Sequence, residues 1–324
     1  MALAATDAKH ALQILAGQIG RKRGHEFEME LAKRVNNLDF KIDPTSEVTG
    51  VFKGRPEIAL IKKCLTVANL TDYDSIEAIS LGGLATSEVG KNWLEVNGVK
   101  VKASKSDVLV IMSKDNILST IGVSVKQCSA AKPTNLQLFL STAKAFCKLL
   151  RRNHILVSDD AETAMRQFCG DEGFRPIDDP QLMKTRLSNP ARFFWEEINS
   201  TGLIEWERIL SNQQDEVTRL LLQKAYLDDP FTPDVLIQKT KKVLTGEDEF
   251  AIYGIEELVS KSSHHSGFFK TLKTEVSKSK SYQVPNGVRH ECPKFGIVQM
   301  QRFGNKQNPT QLQFNLQAGY FYKI

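Results

Sequence analysis

Apolar residues recur at helical spacing in GHEFEMELAKRVNN, where Phe27, Leu31 and Val35 fall at i, i+4 and i+8, and this predicts an amphipathic helix. RPEIALIKKCLTVANL carries Pro56 at a first-turn position and predicts a second helix. In WLEVNGVKVK the pair Asn97-Gly98 predicts a tight hairpin or bent strand. DVLVIM and ILSTIGVSVKQ are β-branched runs and predict two strands joined across SKDN. NLQLFLSTAKAFCKLLRR predicts a helix with Leu136, Phe139, Leu140, Ala143, Cys147 and Leu150 on its apolar face. HILVSD then predicts a short buried strand and DDAETAMRQFCG another helix.

Beyond Phe174 the pattern predicts helices as far as Tyr226, then strands in TPDVLIQK and EFAIYGI. Residues 261–286 are polar and rich in Ser and Lys, which predicts a long loop, and the last 30 residues return to strand. Three segments follow: 1–157, a core of helix, three strands, helix and strand; 158–260, acidic and mostly helical; and 261–324, a basic loop and β-ribbon. The fold class expected is α/β (α+β), a mixed central sheet flanked by helices, with a helical insertion and a C-terminal β segment.

At 324 residues the chain has room for one large domain or two smaller ones. The N-terminus shows no signal-peptide core, and no apolar run approaches the roughly 20 residues of a membrane helix, so a cytoplasmic protein with no membrane partner is expected. Five scattered cysteines without a CxxC pair predict buried thiols rather than a disulfide framework or zinc site.

Charge changes the picture more than composition does. Residues 1–152 hold 22 basic and 15 acidic side chains, 153–260 hold 11 and 21, and 261–324 hold 10 and 2. A polyanion such as double-stranded DNA is attracted by the two ends and repelled by the middle.

The two central strands raise a chemical question, because Asp107 and Lys126 stand among apolar residues, and buried charges are normally paired, bound to metal or put to use. If the hairpin turns within SKDN, facing positions sum to about 229 to 231, and Asp107 lies opposite residues 122 to 124. Ser124 and Lys126 share a face by the period of two, with Val108, Val110, Val123 and Val125 turned to the other. A carboxylate and an ammonium so placed could hold a divalent ion against a phosphate and orient a water.

With these residues in view, the chain resembles the PD-(D/E)xK nucleases, specifically type II restriction endonucleases. The resemblance spans roughly residues 20–157: the element order, Asp107 at the start of the second strand after Ser104-Lys105-Ser106, and the triplet Ser124-Val125-Lys126 on the third. It implies a restriction-endonuclease-like core. Ser124 departs from the family pattern, which has Glu or Asp there, and a hydroxyl is a poorer ligand for a hard cation. Residues 127–152 contain no acid to replace it. Glu28 is the remaining candidate, since Gly24, Phe27 and Glu28 resemble the family's first-helix pattern. Glu28 interrupts the apolar stripe, either snorkelling to water from its edge or serving as a metal ligand, whereas Glu30 faces solvent and pairs with Arg34 at i+4.

The resemblance implies Mg²⁺-dependent hydrolysis of phosphodiester bonds, with Asp107 and Glu28 as metal ligands, Lys126 orienting water and Ser124 completing the site. Gln127 and Gln137 follow the lysine and could contact DNA. The tail offers a reader of base sequence: Gln311, Gln313 and Asn315 alternate with Leu312, Phe314 and Leu316, and Gln299 and Gln301 alternate with Val298 and Met300. Folding about GNKQNPT with facing positions summing to about 614 sets Gln301 against Gln313 and Gln299 against Asn315, an amide face for base edges with Arg302 and Lys306 beside it. A type II site-specific deoxyribonuclease is thus expected, with a homodimer as its candidate assembly. The alternatives are a structure-specific repair or recombination nuclease and a non-catalytic DNA-binding protein with a decayed core.

Overall fold

In the computed structural model the SKDN connection closes as a two-residue turn, with Asp115 and Asn116 both left-handed at φ 51° and 65°. The structure describes residues 8–42, 50–81, 94–101, 104–128, 135–139, 142–185, 190–224, 229–241, 248–263, 268–272, 289–293, 297–300 and 311–317. The chain begins with α1 (Ala8–Asn36), β1 (Gly50–Lys53), α2 (Pro56–Ala68), β2 (Ser75–Ser80), β3 (Leu94–Val96), β4 (Val99–Val101), β5 (Val108–Lys114) and β6 (Ile117–Cys128). There follow β7 (Asn135–Phe139), α3 (Ala143–Arg152), α4 (Asp159–Cys169), α5 (Pro180–Thr185), α6 (Ser200–Asn212) and α7 (Gln214–Gln223). The last part contains β8 (Pro233–Lys241), β9 (Asp248–Gly254), α8 (Ile255–Ser263), β10 (Phe268–Leu272), β11 (Arg289–Pro293), β12 (Ile297–Met300) and β13 (Gln311–Gln317).

Contacts divide the chain into two compact units, one of Met1–Asn135, Leu222–Lys261 and Ala318–Ile324, the other of Leu136–Leu221 and Ser262–Gln317. The stretch 158–260, one acidic segment along the sequence, is therefore shared between them. In the first unit six strands form a sheet in the order β1-β9-β8-β6-β5-β2. Only β6 and β8 run parallel, so the sheet is mixed, and the α/β class expected from the pattern holds.

One sheet face carries the main core. Phe27, Leu31 and Val35 of α1 and Leu60, Ile61 and Cys64 of α2 pack with Val108, Val110, Val123, Val125, Val235 and Ile237. The opposite face places Leu109 and Ile111 against Leu81, Val96 and Val101. Val96 and Val101 belong to the expected hairpin, whose turn residues Asn97 and Gly98 are left-handed. At Gly122 the β6–β8 ladder shifts register, and a Cβ there would collide with the Thr232 carbonyl oxygen and the Ser106 hydroxyl.

The second unit departs from the periodicity in two places. Residues 135–152 are not one helix: Asn135–Phe139 is a strand of the three-stranded sheet β12-β13-β7, and the helix begins at Ala143. Thr142 fixes that start by accepting a hydrogen bond from the Ala145 N–H at 3.2 Å. Alternating Leu136 and Leu138 fit a strand as well as a helix over so short a run, and pairing with β13 decides between them. HILVSD is not a strand either. Ile155 and Val157 are buried but Leu156 is 79% exposed, and Ser158 caps α4 through the Ala161 N–H at 3.1 Å. Helices α4 and α6 pack through Trp206, whose Nε1 donates to the Ala161 carbonyl at 2.6 Å, and through Gly202, where a Cβ would strike the Asp160 carbonyl. Within the span expected to be a loop, Phe268–Leu272 forms β10 and pairs with β11. Among the described residues, no helix is long and apolar enough to cross a membrane.

Candidate active site

The β5–β6 register pairs Val108 with Val123, a sum of 231, so Asp107 falls one place further on, against Ser124. The Asp107 carboxylate accepts three hydrogen bonds at Oδ2: from the Val125 N–H at 2.6 Å, the Ser124 hydroxyl at 3.3 Å and the Lys126 Nζ at 3.3 Å. Lys126 Nζ also donates to the Val125 carbonyl at 3.2 Å. Asp107 and Lys126 side chains remain 26% and 27% exposed, so their pairing contributes at most about 1 kcal/mol to the fold. Stability alone is a weak reason for placing both charges there. Ser124 is buried.

Glu28 does not snorkel to water. It is 6% exposed, and the His25 Nδ1 lies 3.1 Å from its Oε2. Burial pushes its carboxyl above the usual range and the Asp107 charge adds to this, while His25 and Lys126 oppose the shift. Glu28 thus shares the electrostatic surroundings of Asp107 and Lys126. Glu30 pairs with Arg34 on the exposed side of α1, as the helical spacing predicts.

The approach to Asp107 is held by a clamp that the periodicity does not reveal. Ser104 and Ser106 both donate to the Phe231 carbonyl, at 3.0 and 2.7 Å, and the Lys105 N–H donates to Asp229. Asp229 also receives the Phe231 N–H at 3.1 Å, which ties the turn before β8 to the strand start. Burial lowers the Lys105 ammonium to about 8, repulsion from Lys126 adds to the fall, and Asp107 and Asp229 oppose it. A second lysine therefore feels the charges of the site. The run Ser104-Lys105-Ser106-Asp107 stands out in the sequence, but its partner segment 229–231 lies more than a hundred residues away.

A further polar residue stands beside Lys126. In the parallel β6–β8 register Lys126 pairs with Gln238 and Gln127 with Lys239. Gln238 is 3% exposed, and its side-chain oxygen has no hydrogen-bond partner among protein atoms. A lone amide within the apolar run DVLIQ was the only sequence signal for it. Gln127 itself is exposed. On the α1 side, a cleft of about 450 Å³ has Arg34, Lys53, Lys239 and Asp248 in its walls, with Phe27 and Phe250 beside them. Lys239 Nζ lies 4.6 Å from the centre of the Phe27 ring and 3.0 Å from Asp248.

The other expected contacts fall elsewhere. Gln137 lies on β7, and Gln299, Gln311, Gln313 and Asn315 lie on β12 and β13, all in the three-stranded sheet. Gln301, Arg302 and Lys306 are outside the described residues. The β12–β13 register corrects the expected one: Gln299 pairs with Leu312 and Val298 with Gln313, a sum of 611 rather than 614. An odd offset sets amide positions of one strand against apolar positions of the other, because side chains alternate with period two. Moreover β13 is paired on both sides, so it is not half of a two-stranded ribbon.

The hard oxygen donors near Lys126 are the Asp107 carboxylate, the Val125 carbonyl, the Ser124 hydroxyl and, through α1, Glu28. Among the described residues no group of three or more His, Cys, Asp and Glu side chains is gathered for a metal ion. Cys64, Cys147 and Cys169 are buried free thiols, and burial raises all three, Cys147 to about 12, which disfavours their thiolate forms.

No protein-family model matches the sequence, and no curated protein matches it. Among solved structures the chain is similar to one described as the crystal structure of restriction endonuclease MspI in complex with its cognate DNA. Identity is 12%, the match covers 79% of this chain and 78% of that one, and the TM-score is 0.42.

Proposed function

We propose that the chain is a Mg²⁺-dependent endonuclease hydrolysing phosphodiester bonds of double-stranded DNA, and that it is a sequence-specific enzyme of the type II restriction kind. The observation that carries this reading is the half-buried Asp107–Lys126 pair at 3.3 Å on adjacent central strands, with buried Glu28 in the same field. Asp107 and Glu28 would hold the ion, with Val125 offering its carbonyl. When bound, Mg²⁺ supplies charge that neutralises the scissile phosphate and makes water more acidic.

The chain's own groups account for the rest. Lys126 is held in place by its hydrogen bonds to Asp107 and to the Val125 carbonyl, and its ammonium donates to the attacking water or to a phosphate oxygen, where charge develops. The water oxygen bonds to phosphorus as the bond to the 3′-oxygen breaks. The leaving oxygen takes a proton from solvent, and the water gives one up to solvent. The Ser124 hydroxyl and Val125 N–H fix the Asp107 carboxylate but add no charge to it. Arg34, Lys53 and Lys239 in the neighbouring cleft suit a polyanion.

Ser124 favours a second reading, a non-catalytic DNA-binding protein, because a hydroxyl stands where the nuclease pattern has a carboxylate. Incubating the protein with plasmid DNA, with and without Mg²⁺, and sequencing the ends separates the two. Discrete ends at one repeated sequence are expected. Binding without cleavage under every divalent ion would leave the second reading, and ends scattered over the plasmid would remove sequence specificity.

A further inference from the structure

The sheet register aligns four polar residues across three strands. Asp107 stands against Ser124, Ser124 and Lys126 share a face, and Lys126 pairs in the parallel ladder with Gln238. Facing positions on neighbouring strands present their side chains to the same side of the sheet, about 4.8 Å apart. Gln238 therefore flanks Lys126 on the side away from Asp107. On the same face of β8 stand Leu236 and Thr240, both buried, and on β9 Gln238 pairs with Ala251, also buried.

A buried amide oxygen without a partner costs roughly 1 to 3 kcal/mol, and native proteins keep few of them. At this position Leu or Met would fill the same space without that penalty. Retention of the amide calls for a group that it meets only in the working state. The group must donate a hydrogen bond, because the unmatched atom is an acceptor. Lys126 and Gln238 together form a donor and an acceptor side by side, the pair needed to fix both the position and the rotation of a water molecule.

We propose that Gln238 is a water-positioning residue of this site, its carboxamide oxygen accepting one O–H of the attacking water while Lys126 donates to that water. One lone pair of the water is then left to aim at phosphorus. Gln238 takes no proton and makes no covalent bond; the bond changes are those of the hydrolysis already described. The inference rests on the nuclease reading and extends it to a residue on a strand more than a hundred positions from Lys126.

The test compares wild type, Gln238→Leu and Gln238→Glu in the full-length chain by thermal unfolding, by duplex binding without divalent ions and by single-turnover cleavage with Mg²⁺. Gln238→Leu is expected to unfold within about 2 °C of wild type or above it, as removal of an unmatched acceptor should allow. It should bind duplex equally and cleave at least about tenfold more slowly. Gln238→Glu, which keeps an acceptor, should cleave faster than Gln238→Leu. Cleavage by the leucine variant within about threefold of wild type overturns the inference and leaves the nuclease reading intact. A leucine variant that loses several degrees or fails to fold also overturns it, since the amide would then have a structural partner. A wild-type protein inert with every divalent ion overturns the nuclease reading and this inference together.

Discussion

The β5–β6 and β12–β13 pairs start from the same kind of sequence, two alternating runs on either side of a polar connection, yet the register was legible in only one. Two residues turn the first pair, and Asp115 and Asn116 adopt the left-handed conformations that a two-residue hairpin requires. That geometry leaves one register, with facing positions summing to 231. Ten residues separate β12 from β13, so the turn imposes no sum, and the observed 611 differs by three from the value that aligns the amides. A short turn transmits register from chemistry, whereas a long connection leaves the choice to tertiary packing.

The comparison can be broken most sharply at the first pair. Asp107→Ala and Lys126→Ala should each lower Mg²⁺-dependent cleavage on the order of 10³-fold while duplex binding and thermal unfolding stay near wild type. Plasmid cleavage by either variant within about tenfold of wild type would place the chemistry elsewhere. Gly122→Ala comes next. Its Cβ has backbone on one side and the Ser106 hydroxyl on the other, so urea unfolding should show a loss of about 3 kcal/mol. No loss would mean that the bulge relaxes freely and does not hold the strand start in place.

The second pair offers a smaller effect of a different kind. If amides on β13 read base edges, Gln313→Ala or Asn315→Ala should cost about 1 to 3 kcal/mol on the preferred duplex and little on random DNA. Titrations of both duplexes at two salt concentrations decide this. Equal losses on the two would make the strand an ordinary surface of the three-stranded sheet.

The smallest effect concerns pH. Burial holds the Asp234 carboxyl above the usual aspartate range, opposed by the hydrogen bond that it accepts from the Gly122 N–H at 2.9 Å. A raised folded-state value favours the protonated form, so this contribution to stability is full below the unfolded value and is lost as pH rises through the folded one. Asp234→Asn keeps an acceptor for Gly122 and removes that dependence. Its stability relative to wild type should increase between about pH 4 and pH 7, followed by thermal unfolding across that range. A constant difference would show that Asp234 does not titrate differently in the two states.

Much of the first unit is legible in the sequence alone. Phe27, Leu31 and Val35 have a helical period, Asn97-Gly98 marks a turn and Val108 to Met112 a strand, and each of these is a local signal. Asp107, Ser124 and Lys126 were found because a two-residue turn converts numbering into proximity. Glu28 required only the helical period to be noticed as an interruption. Gln238 and the clamp at Asp229 and Phe231 were not legible, since parallel pairing of β6 with β8 has no turn to announce it and the intervening segment forms another unit. Residues 135–139 read as helix in the sequence because five residues suit either period and the partner strand lies near the C-terminus.

The edge strand β1 finds its partner only in β9, with Gly50 against Ile252. Between them the chain must emit the central hairpin and most of a second unit. At about 5 to 20 residues per second, a ribosome needs roughly 10 to 40 s to bridge such an interval of about 200 residues. Until β8 and β9 follow, the apolar sides of α1 and α2 have only part of their sheet, and the edge of β6 stays open from its own synthesis until β8 arrives. During synthesis this is a molecule whose earliest surfaces wait longest for cover, and an open strand edge is the part of it most prone to pair with other nascent chains.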